Sequence, residues 1–340
     1  MAGILGVLFA MVVLIRRSMP FSLTTSLVQK VQVAVKPTLS ALPSLAIEHM
    51  RTKSYPGSPL AIEQVLPPGP QYKRFIVSYV SDGLTLRGLL TVPDGQKPQG
   101  GWPVILLNHG YIPPREYSTT VSYENIVSFF ASNGYIVFMP DYRGNGQSPG
   151  TPEQPYISPA YVTDSLNALA SIRKYKDANP NKIGVFGHSM GGNITLHELV
   201  LTHDFKAAVI WAGAVGSYSG LVSWWNERYA NHSIIGNDLA TYTKLQQMLK
   251  DHGTPQANPV YWDALDPTGF IRSVSAPVLL QVGTMDEEVP VSFTYHLDTS
   301  LQRAGKNVKL IVYPGADHNL DPLQQKALAD TIAFFDTYVK

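Results

Sequence analysis

Short, solidly apolar runs alternate with longer helix-like segments through most of this 340-residue chain, and this alternation limits the fold more than any other feature. Such runs, bounded by turn residues, are typical of strands buried on both faces of a parallel sheet. The runs are PVILLNHG (103–110), YIVFMPD (135–141), KIGVFGHS (182–189), AAVIWAG (207–213), APVLLQVG (276–283) and VKLIVYPG (308–315). Helix-like segments lie near 121–131, 159–176, 192–202, 291–304 and 322–338. The pattern predicts an α/β fold with a doubly wound, mostly parallel sheet.

Two further regions complete the predicted domain at 73–340. The runs RFIVSYV and LTLRGLLTV flank the turn signal Ser81-Asp82-Gly83, so they predict an antiparallel hairpin at a sheet edge. Residues of about 215–270 contain no strong strand and are rich in tryptophan and tyrosine. We interpret this stretch as a small helical cap inserted into the domain.

The residues before the domain divide into two parts. Residues 18–72 are rich in proline, serine and threonine, which predicts a linker followed by an ordered lead-in. Residues 1–17 are an apolar run closed by Arg16-Arg17, shorter than a comfortable membrane span. This segment predicts membrane attachment or export; if it is only an amphiphilic tail or an upstream start codon, we expect a cytoplasmic protein.

Composition excludes several function classes. The formal net charge is +1 and there is no cluster of lysine and arginine, so we expect no nucleic-acid partner. The chain has no cysteine, which excludes disulfides, zinc-thiolate sites and a cysteine nucleophile.

The stretch VFGHSMGG (185–192) places Ser189 between a buried strand and a helix, with Gly187 and Gly191 two residues to either side. This matches the G-x-S-x-G nucleophile elbow, in which a tight turn lifts a serine hydroxyl above the sheet. Glycine is needed because neighbouring main chain comes too close for Cβ atoms. Ser189 is therefore the predicted nucleophile, and the helix that follows points its amide donors at the site.

A serine nucleophile needs a histidine base and an acid that orients it, both at later strand ends. Asp286 follows the strand APVLLQVG, and His318 follows the strand VKLIVYPG. Glu287 and Glu288 are the rival acids; Glu288 stands at a helix start, where acids commonly serve the helix dipole, so Glu287 is the second choice after Asp286. The histidines at 109 and 188 are interpreted as braces for loops, because they stand beside glycine or the nucleophile.

The oxyanion formed in acyl transfer needs two backbone donors. The amide of Met190 follows the nucleophile, and the amide of Tyr111 lies in the loop HGY after an earlier strand. A third loop, DYRGNGQSPG (141–150), lacks the glycine spacing of a dinucleotide site, and we expect Asp141 and Arg143 to pair within it. No cofactor and no metal ion is expected.

The motifs HGY, DYRGNGQS, GHSMGG, VGTMDEEVP and ADH, in this order, resemble the α/β-hydrolase superfamily. The chain is most similar to its prolyl oligopeptidase-like and dienelactone hydrolase-like branch, over roughly 74–340. The resemblance implies a Ser-His-Asp serine hydrolase and no cofactor. We expect a carboxylesterase acting on a small-molecule ester; the alternative is a peptidase cleaving small amides, although the residues before the core are too few for the β-propeller of large prolyl oligopeptidases. Tyr111 and the cap residues Trp224, Trp225 and Trp262 are the expected substrate contacts.

Overall fold

A computed structural model describes residues 43–231 and 238–340. Within this part of the chain, nine strands form one sheet in the order β1-β2-β3-β5-β4-β6-β7-β8-β9. Strands β4 to β9 pair in parallel, which confirms the predicted mostly parallel sheet. The strands are β1 (Ala61–Gly69), β2 (Tyr72–Ser81), β3 (Leu84–Pro93), β4 (Trp102–Asn108), β5 (Ile136–Pro140), β6 (Ala178–His188), β7 (Ala207–Trp211), β8 (Val278–Gly283) and β9 (Val308–Tyr313).

Helices cover both faces of this sheet. The helices are α1 (Ile47–Arg51), α2 (Glu124–Ser132), α3 (Ala160–Ile172), α4 (Met190–Leu201), α5 (Tyr218–Ala230), α6 (Asp238–His252), α7 (Pro259–Leu265), α8 (Val291–Arg303) and α9 (Gln324–Tyr338), with a 3₁₀ helix at Pro267–Ser273. Helices α5, α6 and α7 lie in the predicted cap, so its helical character is confirmed in the described residues.

Consecutive side chains of the central strands point to opposite sides of the sheet, and helices cover both sides, so these strands are buried on both faces. Leu106 and Val185 belong to a core cluster that includes residues of α3 and α4. Their neighbours Leu107 and Phe186 belong to a second cluster that includes residues of α2 and α9. This two-sided burial explains why the central strands read as continuous apolar runs in the sequence.

The sheet begins earlier than the sequence predicts. The hairpin of β2 and β3 forms at Ser81–Leu84 as expected, but the edge strand is β1, which lies inside the predicted lead-in 18–72. Pro67 and Pro68 fall where the pairing of β1 with β2 is irregular. Proline is tolerated there because an edge strand has one side on which no N–H needs a partner. The domain boundary at residue 73 is therefore wrong, and the ordered fold includes α1 and β1.

Residues 1–17, predicted as an apolar anchor or signal, and residues 18–42 lie outside the described residues. Among the described residues, no helix is both long and apolar enough to cross a bilayer.

Strands β6, β8 and β9 lie close together in the parallel half of the sheet. Parallel strands end at the same edge, and ligands of such sheets bind at that edge. The loops that carry Ser189, Asp286 and His318 follow these three strands and therefore meet at this edge.

Candidate active site

Ser189 stands in a sharp turn between β6 and α4. Its backbone has φ 56° and ψ −120°, a region that residues other than glycine rarely adopt and that is typical of functional positions. Its N–H donates to the carbonyl of Trp211 at 3.0 Å, and its carbonyl accepts from the N–H of Ala214 at 3.0 Å. These bonds to the last residue of β7 and to the chain just after it hold the strained turn in place.

The two glycines of the elbow have separate steric reasons. A Cβ at Gly187 would overlap the hydroxyl of Thr195 and the carbonyl of Gly191. A Cβ at Gly191 would overlap the backbone carbonyl of Asn108 at the end of β4. Glycine therefore lets the elbow pack directly against the strand that leads into the HGY loop.

Asp286 and His318 are hydrogen bonded to each other. His318 Nδ1 donates to Asp286 Oδ2 at 2.9 Å, and the two side chains are 6% and 0% exposed. The other carboxylate oxygen, Oδ1, accepts from the backbone N–H groups of Glu288 and Val289 at 3.0 and 2.9 Å. Asp286, rather than the exposed Glu287, is thus the carboxylate that orients the imidazole. This arrangement leaves Nε2 of His318 for proton transfer.

Ser189 lines two adjoining cavities. The larger, of about 340 Å³, is also lined by His318, His188, Tyr111 and Glu288. The smaller, of about 70 Å³, lies toward the cap, and we call it the acyl recess after the group that we propose it binds. Its lining residues are Tyr111, Gln154, Tyr156, Ser189, Met190, Trp224, Trp225, Arg228, Asp238, Glu288 and Val289.

The prediction that Trp262 contacts the substrate is wrong. It lines neither cavity and is 1% exposed. Its indole N–H donates to the carbonyl of Gly253 at 2.9 Å, and its ring packs 5.3 Å from that of Tyr218. Trp262 is therefore packed against other residues of the cap, whereas Trp224 and Trp225 line the acyl recess beside Ser189.

A chain of hydrogen bonds, which we call the loop tie, joins the loop between β4 and α2, the end of β6 and the loop after β9. The N–H of Gly110 donates to the hydroxyl of Tyr123 at 2.7 Å, and that hydroxyl lies 2.5 Å from His188 Nδ1. His188 Nε2 lies 3.3 Å from the carbonyl oxygen of His318. Burial, and then the neighbouring His318, lower the pKa of His188 to about 3, so the ring is neutral. The consistent tautomer accepts from Tyr123 at Nδ1 and donates to His318 at Nε2.

The loop tie agrees with the interpretation of His188 as a brace, but the sequence does not indicate Tyr123. Tyr123 precedes α2 with φ 61°, in the left-handed region. Nothing near Tyr123 in the sequence marks it as part of the site, because its hydroxyl reaches a residue 65 positions away.

Residues 121–340 match the profile of the prolyl oligopeptidase family, and these residues contain Ser189, Asp286 and His318. The chain belongs to the prolyl oligopeptidase family. It is a serine hydrolase with the α/β-hydrolase fold, as the motifs predict.

Proteins similar to this prolyl oligopeptidase family member in sequence or in fold include both peptidases and esterases. The "Uncharacterized peptidase YtmA" of Bacillus subtilis (strain 168) is 26% identical over 266 residues, 77% of this chain and 92% of that protein. Two solved structures share the fold with TM-scores of 0.62. One is the Pyrococcus horikoshii acylaminoacyl peptidase, 22% identical, covering 80% of this chain and 42% of that chain. The other is an acetyl xylan esterase from Paenibacillus sp. R4, 18% identical, covering 89% and 97%.

Behind the nucleophile, this family member has a buried polar network. Asn108 donates to Glu198 Oε2 at 2.6 Å and to the hydroxyl of Thr195 at 3.0 Å, and it accepts from the hydroxyl of Ser165 at 2.7 Å. Burial raises the pKa of Glu198 to about 7, against the hydrogen bonds that lower it. The network holds the end of β4, from which the HGY loop begins.

The described residues contain no group of three or more histidine or carboxylate side chains placed to hold a metal ion. The chemistry available at the site is that of a hydroxyl, an imidazole, a carboxylate and backbone N–H groups.

Proposed function

We propose that this member of the prolyl oligopeptidase family is a carboxylesterase that removes short acyl groups from small-molecule esters. The observation that carries the proposal is the size of the acyl recess, about 70 Å³ beside Ser189. A water molecule needs about 10–15 Å³ of such space, so the recess suits an acyl chain of roughly two to six heavy atoms. Trp224 and Trp225 line it on the cap side.

The assignment of acyl and alcohol sides follows from the position of His318. The base returns its proton to the leaving alcohol, so the alcohol must lie on the side of the imidazole. His318 lines the larger cavity and not the acyl recess. Of the two proposed oxyanion donors, Met190 lines the recess and not the larger cavity, whereas Tyr111 lines both. The acyl group therefore enters the recess, and the alcohol occupies the larger cavity.

In the proposed reaction, the Ser189 oxygen attacks the ester carbonyl carbon while its proton passes to Nε2 of His318. The resulting oxyanion binds the amides of Met190 and Tyr111, at the N-terminus of α4 and in the HGY loop. The alcohol leaves with the proton from His318, and the acyl group stays on Ser189. Water then attacks the acyl-enzyme by the same route, which releases the acid and restores the serine.

The alternative is a peptidase that cleaves small amides with the same residues. Family membership and the name of the Bacillus subtilis relative favour it. An amide substrate would place a small side chain in the acyl recess and an amine in the larger cavity.

The test compares hydrolysis of p-nitrophenyl acetate, butyrate and octanoate with that of alanine p-nitroanilide and its N-acetyl derivative. We expect kcat/KM to be highest for acetate and butyrate and to fall at least tenfold for octanoate, because the longer chain exceeds the recess. The variant Ser189→Ala should abolish turnover of every ester. Higher kcat/KM for the anilides than for all esters would replace the esterase by the peptidase.

A pair of substitutions on α5 tests the role of the recess itself. Trp224→Leu enlarges the recess, so it should raise the octanoate-to-acetate ratio of kcat/KM. Tyr229→Leu is the matched control, since Tyr229 lies on the same helix but stacks on Tyr242 outside the recess. An equal change in both variants would contradict the assignment of the recess to the acyl group.

A further inference from the structure

Glu288 places a carboxylate at the junction of the two cavities. It lines both the larger cavity and the acyl recess, and its side chain is 64% exposed. Its Oε2 lies 3.9 Å from Nε2 of His318, the nitrogen that faces the reacting groups. A substrate in contact with His318 therefore lies within a few ångströms of this negative charge.

The backbone of Glu288 is held from both sides. Its N–H donates to Asp286 Oδ1 at 3.0 Å, and its carbonyl accepts from the indole N–H of Trp224 at 3.1 Å. Arg228 also donates to that carbonyl, at 3.5 Å. The side chain thus starts from a fixed point that joins the acid loop to the cap.

The Glu288 carboxylate faces the imidazole of His318, which is positively charged only when it is protonated, within the larger cavity. Among the described residues that line it there is no lysine, no arginine and no second carboxylate, and His188 is neutral. Arg228 lines the acyl recess, but its guanidinium lies 3.5 Å from the buried carboxylate of Asp238. The guanidinium forms an ion pair with Asp238 and lies over the rings of Trp224 and Trp225.

We propose that Glu288 is a specificity-determining residue that binds an ammonium group of the substrate and so selects cationic esters. The proposal rests on the esterase function proposed above and deepens it by naming a substrate class. The ammonium is carried either by the alcohol or by the acyl group, because Glu288 borders both cavities. A charge pair about 5 Å apart at a partly solvated site changes binding roughly tenfold.

The test uses two pairs of esters in which a carbon replaces the cationic nitrogen. Acetylthiocholine and S-(3,3-dimethylbutyl) thioacetate differ in charge on the leaving-group side. Glycine p-nitrophenyl ester and p-nitrophenyl propionate differ in charge on the acyl side. For each pair, the ratio of kcat/KM for the cationic ester to that for the neutral ester is measured at low and at high salt.

The variants are Glu288→Gln and, as matched control, Glu287→Gln, whose carboxylate is exposed and lines neither cavity. We expect Glu288→Gln to lower the cationic-to-neutral ratio roughly tenfold in one pair, and Glu287→Gln to leave it unchanged. The responding pair identifies the side that carries the ammonium. The effect should shrink in 1 M salt, because solvent-exposed charges are screened.

Two results would overturn the proposal. One is an unchanged ratio in both pairs. The other is an equal loss of rate for all four esters with a shifted pH–rate profile, which would place the effect of Glu288 on His318 instead of the substrate. The variant Ser189→Ala separates failure of the esterase function from failure of the Glu288 proposal. If Ser189→Ala retained turnover of the neutral esters, the proposed function would fail whatever the result for Glu288.

Discussion

Replacing Glu198 by glutamine tests the buried network behind the nucleophile. Glu198 is 0% exposed, and in the described part of the chain its Oε1 has no hydrogen-bond partner. Burial raises its pKa from 4.5 to about 7. The native state therefore prefers the protonated carboxyl, and ionisation at higher pH destabilises the fold.

The sign and size follow from proton linkage. Below pH 4.5 both the native and the unfolded state hold the proton, so Glu198 adds no pH dependence. Between pH 4.5 and about 7 the unfolded state releases the proton while the native state keeps it, so stability falls as pH rises. The rise in the pKa of Glu198 from 4.5 to about 7 corresponds, at about 1.36 kcal/mol per pKa unit, to a loss of about 3 kcal/mol in the free energy of unfolding at high pH.

The assay is urea unfolding of the wild type and Glu198→Gln at pH 5 and pH 8. Glutamine keeps the shape and cannot ionise, so the stability of the variant relative to the wild type should rise by roughly 2 to 3 kcal/mol from pH 5 to pH 8. Burial also raises the pKa of Asp141, to about 6, but that group is common to both proteins and cancels. Glu116→Gln, at an exposed position, is the control and should show no such change. A pH-independent difference for Glu198→Gln would refute the reasoning.

Three other substitutions test the site. Tyr123→Phe removes the hydroxyl of the loop tie, so kcat for a short ester should fall roughly ten- to a hundredfold with KM little changed; an unchanged kcat in steady-state assays would contradict it. Gly191→Ala should lower the free energy of unfolding by about 3 kcal/mol or more, because its Cβ meets backbone, whereas Gly269→Ala, with nothing nearer than 4.0 Å, should change it by less than about 0.5. Asp286→Asn should lower kcat/KM roughly 10³- to 10⁴-fold, and a similar loss in Glu287→Gln would reverse the choice of acid.

The Asp141–Arg143 pair expected within one loop does not form. Arg143 donates to Asp164 Oδ1 at 2.6 Å and to Asp82 at 3.1 Å. Asp141 accepts instead from the hydroxyls of Tyr117 and Thr119, at 2.9 and 2.7 Å. Nearness in sequence was a poor guide here, because each of these side chains takes its partner from another part of the chain.

Local patterns were sufficient for much of the fold and for the acid–base residues. Apolar runs of strand length become buried strands in any parallel sheet, and a parallel sheet brings the ends of its strands to one edge. Ser189, Asp286 and His318 follow such strands, so their meeting could be expected from strand order alone. The elbow was equally readable, because steric exclusion of Cβ atoms at Gly187 and Gly191 leaves a mark in the sequence itself.

The surroundings of these residues depended on contacts between segments far apart in the chain. Trp224, Trp225 and Trp262 read alike as aromatic cap residues, yet Trp224 and Trp225 line the acyl recess and Trp262 lines neither cavity. Likewise, no local pattern in the sequence predicts the loop tie through Tyr123 or the position of Glu288 at the junction of the two cavities. Periodicity and sterics act within a few residues and are written in the sequence, whereas the direction a side chain faces is decided only when helices, cap and sheet pack together.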